Sequence, residues 1–593
     1  MAVPRALRTL LKGWRRSWKT NPRYAYAACA LAGVASAELV AYLCHHYHKH
    51  NLESADPFPP DEDHDDEEHL ARIRALFHSG TPDPRKFLQD MFAGTDVASI
   101  PRSKALHVLS AYLTYRRSES FAGGSYPREV VREAERLLTT LEARIGVPLH
   151  DDRHDPIAPC SRALFERGPD SCVLGGPVHA LHKPLTVRAA IYGMHKVKAA
   201  ILFANGFRPR TLPAHRDVVV WVKAPASGVP SAPPLLFAHG FGMGLLLYVP
   251  LLLRLAGPEF ENRYVVCPEM PLVSQRDTLL EVFDFANFAE RHFSFPNPRG
   301  VAAALLAAGE VVLDEQAPIV PHLPRCVDLI AHSWGTGVSA ALHRIAPPCF
   351  VRQRVLMDPI CALPLGRVRW RRWCTRVPHQ RPARLLTRFA HTVRARAHSR
   401  AHAHTRTHAH TRARTGFPVG FTKWMRFFWG DELKSLPNAL SYSLGKVMEG
   451  NVQDAYQCML VRTDLSHQFV VRRKTYFTEL LFDPTGSGMR NECPADPSTL
   501  VLVSGSDSIV PSDEVEDYVR RNMPGAGVVS VPHWQHGAFL YAADAGPTLE
   551  VIFGHVSVPL KTPAPASCGP VLTVEAGRGG VVKHMCNATV CAA

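Results

Sequence analysis

The pattern of apolar and polar positions divides the chain into stretches of different texture. Residues 1–23 carry Arg5, Arg8, Lys12, Arg15, Arg16, Lys19 and Arg23 and no acidic residue, and Tyr24–Cys44 follows as a mostly apolar run. That length is about what a bilayer's hydrocarbon core requires. The run is rich in alanine and holds Glu38, a costly residue at mid-membrane. The pattern predicts a basic N-terminal region, 1–50, with a single-pass anchor over 24–44. Its basic flank places the N-terminus on the cytosolic side of the endoplasmic reticulum or another endomembrane. A mitochondrial presequence or a packed helix is the alternative left open by so basic a start.

Residues 51–69 include the acidic, proline-bearing run Ala55–Glu68 and read as a solvated linker. Residues 70–216 read as a helical region. Within it, 127–145 starts at Pro127, repeats Leu137, Leu138, Leu141 and Ile145 on one face, and stops at Gly146 and Pro148. From 217 to 558 the texture changes to short apolar runs alternating with helical stretches. Val218–Val222, Leu235–Ala238, Tyr264–Cys267, Val327–Ile330, Val355–Met357 and Leu500–Val503 are expected strands. Unbroken apolar strands between helices predict an α/β fold with a mostly parallel sheet covered on both faces.

Charge changes this picture little. Of the net +15, fourteen arginines fall between Arg367 and Arg414, and no acidic residue occurs from Pro359 to Gly430. The rest of the chain is nearly neutral, so the charge belongs to this one stretch, most of it in an Arg/His-rich insertion, 376–416, and not to the fold. Its repetitive core, His391–Arg414, has no apolar period and is expected to be disordered, like the tail 559–593. That core has neither interleaved aromatics nor a recognisable binding fold, which argues against a nucleic-acid partner. The fourteen cysteines show no CxxC pair and no zinc-like spacing, so no metal is expected. Cys267 and Cys326 read as buried thiols.

The chemistry concentrates at Val327-Asp-Leu-Ile-Ala-His-Ser-Trp-Gly-Thr-Gly337. An apolar strand runs into a small-x-Ser-x-small turn and then a helical segment. Ala331 and Gly335 are small because such a turn brings backbone against the helix and the neighbouring strands, and the strain presents the Ser333 hydroxyl. Upstream, Leu235–Ala238 leads into His239-Gly-Phe-Gly-Met-Gly244, a turn able to aim N–H groups at a developing oxyanion. The N–H groups of Phe241 and Trp334 are the candidates, the alternative being a plain β-to-α turn. Downstream, Thr499–Val503 ends near Asp507, and Val528–Val531 leads to His533 and His536. Ser333, Asp507 and His536 thus stand in the order nucleophile, acid, base. Asp358, after another strand, is an alternative acid, and His533 competes with His536. His239 and His332 flank the site and are expected to be structural or pocket-lining.

Residues 359–498 exceed any simple connection. Phe421, Trp424, Met425, Phe428 and Trp429 make one apolar helical face there, with Lys423 and Arg426 opposite. A lid over an apolar substrate and a helix packed on its own domain both fit.

These motifs resemble the α/β-hydrolase superfamily in its general ester-hydrolase form, over about residues 217–555. The runs HGFGMGLLLYVPLLLRL, AHSWGTG, LMDPICALP and VVRRKTYFTELLF look more narrowly like a group of large, membrane-anchored hydrolases. The resemblance implies a sheet of about eight strands with a helical lid between the sixth and seventh. It implies a serine esterase, lipase or thioesterase that needs no cofactor. A small acyl ester or lipid is then the expected substrate and a membrane the expected partner. An acyltransferase using the same triad and a catalytically silent binding scaffold remain the alternatives.

Overall fold

The computed structural model describes residues 22–54, 84–92, 95–114, 125–151, 180–275, 297–362, 464–470 and 498–557, with a few single positions excepted. It also describes short runs within 70–74 and 279–292 and two strands beyond 572. The Arg/His-rich insertion, the 421–429 helix and nearly all of the expected lid lie outside the described residues, as does the acidic linker.

Eight strands form the central sheet: β1 (Phe207–Leu212), β2 (His215–Lys223), β3 (Leu235–Ala238), β4 (Val265–Glu269), β5 (Val327–His332), β6 (Val351–Met357), β7 (Ser498–Ser504) and β8 (Gly527–Val531). Their order is β1-β2-β4-β3-β5-β6-β7-β8. β2 runs antiparallel to both β1 and β4, and every pairing from β4 to β8 is parallel. β1, Phe-Arg-Pro-Arg-Thr-Leu, is a polar edge strand, and Pro209 is tolerable at such an edge.

Along each parallel strand the side chains alternate between two cores. Leu236, Ala238, Leu329, Ala331, Val501 and Val503 pack with helices later in the chain: α8 (Pro298–Gln316), α9 (Trp334–Ile345) and α11 (Ser512–Asn522). Leu235, Phe237, Ile330, Leu500 and Leu502 face the other way, onto α5 (Leu185–Ala204), α6 (Val249–Leu255) and α12 (Ala545–Ser557). Burial on both faces is why these strands read as continuous apolar runs.

The N-terminal helices build a core of their own. α2 (Pro84–Met91), α3 (Arg102–Thr114) and α4 (Arg128–Ile145) enclose Phe87, Leu88, Val108, Leu109, Leu137, Leu138 and Leu141. α4 ends where the sequence places its stop: Gly146, at φ 70°, donates its N–H to the Glu142 carbonyl.

The expected anchor finds no support in the helix that contains it. Residues 24–44 lie within one long helix, α1 (Pro22–Ser54), yet among the described residues no helix is long and apolar enough to cross a membrane. From Glu38 onward α1 is held by protein. His182 Nε2 donates to Glu38 at 2.8 Å, and the Leu185 N–H donates to its other oxygen at 2.9 Å. Ala41 and Cys44 are buried with Val282, and Leu52 with Phe288 and Leu465. The carboxylate that is a liability in lipid is satisfied here by protein donors.

Candidate active site

β3 is the point where the strand order turns back, since β4 and β5 lie on its two sides. Crevices at the carboxyl ends of strands around such a switch are where open α/β sheets bind ligands. The loops after β3 and β5 are the Gly240–Gly244 turn and the Ser333 turn.

Ser333 has φ 51° and ψ −119°, a conformation that L-residues rarely adopt. The surroundings enforce it. Ser333 donates its N–H to the Met357 carbonyl at 3.0 Å, and the Thr336 hydroxyl donates to the Ser333 carbonyl at 2.5 Å. A Cβ added at Gly335 would lie 2.2 Å from the Ala238 carbonyl oxygen, so a side chain there would drive α9 off β3.

The structure brings Ser333, His536 and Asp507 together. The Ser333 hydroxyl lies 2.8 Å from His536 Nε2, and His536 Nδ1 lies 2.6 Å from Asp507 Oδ2. The other Asp507 oxygen accepts the N–H groups of Ile509 and Val510 at 2.6 and 2.9 Å, which fixes the carboxylate plane. His536 therefore donates from Nδ1 and accepts at Nε2, the tautomer that can take a proton from serine. Burial works against a charged imidazole, but the Asp507 carboxylate and then Asp358 outweigh it and hold His536 above the ordinary imidazole range.

The two ambiguities of the sequence come apart here. His533 is exposed and donates to Asp544 at 2.7 Å, away from Ser333. Asp358 lies fully buried at φ 45°, and its nearest approach to His536 Nδ1 is 4.0 Å, too long for a hydrogen bond. Its oxygens accept the N–H groups of Ser504 at 3.0 Å and Gly537 at 2.7 Å.

The turn after β3 closes over the serine. A Cβ on Gly240 would stand 2.9 Å from Ser333 Cβ, so this backbone lies directly against the nucleophile's side chain. Phe241 comes next, its ring 5.3 Å from that of Trp334. Trp334 is the first residue of α9, and an N–H at that position has no intrahelical acceptor. Both oxyanion candidates thus border Ser333.

No family model matches the chain, and no curated protein matches it. Solved structures do. A highly thermostable carboxyl esterase from Bacillus coagulans is 12% identical, covering 59% of this chain and 97% of its own, with a TM-score of 0.34. The hyperthermophilic esterase from Pyrobaculum calidifontis is 13% identical, covering 68% and 98%, also at 0.34. Esterase LipW from Mycobacterium marinum is 14% identical, covering 63% and 88%, at 0.32.

His239 and His332 prove to be neutral struts. His239 donates from Nδ1 to the Gly240 carbonyl at 2.8 Å and accepts the Met270 N–H at 3.3 Å. Burial pushes both histidines down to about 4. Donor atoms of His332, Asp358 and His536 lie within 4.8 Å of one another, the spacing of a metal site. The hydrogen bonds of Asp358 and His536 already engage those atoms. The sequence gives no sign of Tyr248, whose hydroxyl accepts the Gly240 N–H at 2.9 Å. A tyrosine eight positions past a glycine turn carries no signature. Nor does it announce Glu269, buried at the end of β4 and bonded to Lys198 and Trp221 Nε1.

Proposed function

We propose that this protein is a serine hydrolase of the α/β-hydrolase type, cleaving a carboxylic ester or thioester through an acyl-Ser333 intermediate. The observation that carries the reading is the continuous hydrogen-bonded chain from Ser333 Oγ through His536 to Asp507. Ser333 Oγ attacks the acyl carbon while His536 Nε2 takes its proton. Asp507 orients the imidazole and stabilises the imidazolium, without itself taking the proton. The N–H groups of Phe241 and Trp334 hold the oxyanion. His536 then returns the proton to the leaving alcohol or thiol, and water repeats the sequence to release the acid. A lipid-like acyl chain is the favoured substrate, on the strength of the apolar residues that recur at helical spacing in the sequence from Phe421 to Trp429.

The test is to trap the intermediate. Acid quenching during turnover of p-nitrophenyl butyrate, followed by peptide mass analysis, is expected to find a butyryl group on the peptide containing Ser333. Turnover with no acylated peptide, or acylation elsewhere, overturns the reading.

A further inference from the structure

Beneath the proposed triad lies a second buried chain of polar groups. The Gly240 N–H donates to the Tyr248 hydroxyl, whose oxygen lies 2.6 Å from His332 Nδ1. A hydroxyl that accepts from an N–H has its own proton left to donate. His332 Nδ1 is therefore the acceptor, and the neutral ring carries its proton on Nε2. That Nε2 faces Asp358 Oδ2 at 3.7 Å, longer than a hydrogen bond, so the two meet through charge and dipole and not through a shared proton. Asp358 Oδ2 in turn accepts the N–H of Gly537, the residue after His536. All three side chains are buried. The chain begins at the residue before Phe241, passes the residue before Ser333 and ends at the residue after His536.

We propose that Tyr248, His332 and Asp358 are positioning residues that couple the oxyanion turn to the loop carrying His536. The proposal rests on the hydrolase reading of Ser333. Tyr248 holds the Gly240 peptide, and with it the direction of the next N–H, that of Phe241. Asp358 holds the backbone at Gly537 and stands as a second carboxylate beside His536. Ordinary packing would not need this polarity, because an apolar filling of similar shape costs no desolvation. The ionisable groups facing His536 are Asp507 after β7, Asp358 after β6 and His332 at the end of β5. Of the two carboxylates, only Asp507 bonds the ring. Asp358 acts on it through its charge, which favours the imidazolium.

The experiment combines fluorophosphonate labelling with steady-state hydrolysis of p-nitrophenyl butyrate over a range of pH, well below each variant's Tm. Tyr248→Phe removes one oxygen and is expected to lower kcat about ten-fold or more with KM nearly unchanged, a mispositioned oxyanion donor costing somewhat less than a deleted one. His332→Ala is expected to match that loss. His332→Asn, which keeps an acceptor near the place of Nδ1, is expected to recover most of it. Asp358→Asn is expected to move the acid limb of the kcat/KM profile to lower pH, since His536 loses a charge that favours its protonated form. Parent kcat in Tyr248→Phe, or equal losses in the alanine and asparagine variants, overturns the proposal while Ser333 still labels. If His332→Ala does not fold, Tyr248→Phe and the pH limb of Asp358→Asn decide. Absence of Ser333 labelling, with turnover surviving in Ser333→Ala, overturns the hydrolase reading itself and the proposal with it.

Discussion

At the scale of single residues, the two carboxylates near His536 have opposite geometry and so opposite expected costs. Asp507→Asn leaves a side chain of the same shape but presents an amide to His536 Nδ1, favouring the wrong tautomer. A loss in kcat on the order of 10⁴-fold is expected, with the fold intact by circular dichroism. Asp358→Asn is expected to cost far less, because Asp358 makes no hydrogen bond to the ring. His533→Ala is expected to leave kcat near the parent value, its partner being the surface residue Asp544. The base must be neutral to accept the serine proton, and His536 is held above its ordinary value. Initial rates of ester hydrolysis are therefore expected to rise with pH through a midpoint above ~6.5. A plateau already complete at pH 6 would contradict this. Residue types, order and spacing made Ser333, Asp507 and His536 legible in the sequence. Asp507 and His536 were preferred there, with Asp358 and His533 left open as alternatives. Each pair follows the end of a strand, and only the aim of a side chain separates its members.

At the scale of elements, helix α1 joins the molecule through one carboxylate. Glu38 accepts from His182 Nε2 and the Leu185 N–H, positions more than 140 residues away in sequence. Glu38→Ala leaves both donors without that partner and is expected to lower unfolding stability by about 1–3 kcal/mol in urea titrations. An unchanged midpoint would show that α1 is held by its apolar contacts alone. The sequence could not show these contacts for a definite reason. Apolar length and basic flanks are local properties, whereas the partners that satisfy Glu38 are not. The apolar strands were legible because they are buried on both faces. β1 was not, because an edge strand with two arginines and a proline has no apolar period to show.

At the scale of the whole molecule, His239 and His332 tie the site's geometry to pH. Both are buried, with values of about 4 in the folded state against ~6.5 when unfolded. Between those values the unfolded chain binds protons that the folded one does not. Stability is therefore fully present above pH 6.5 and is lost as pH falls toward 4. Thermal unfolding followed from pH 7 to pH 4 is expected to show Tm falling through that window, and a flat profile would contradict the assignment of both rings as neutral struts. The Arg/His-rich run lies elsewhere in the chain and holds none of the residues that meet at Ser333. Deleting 391–414 is expected to leave esterase turnover nearly unchanged. The central claim is that Ser333 is the nucleophile, and fluorophosphonate labelling of the full-length protein tests it most directly. The parent is expected to label on the Ser333 peptide and Ser333→Ala not to label at all. Undiminished labelling of a folded Ser333→Ala variant would contradict the account.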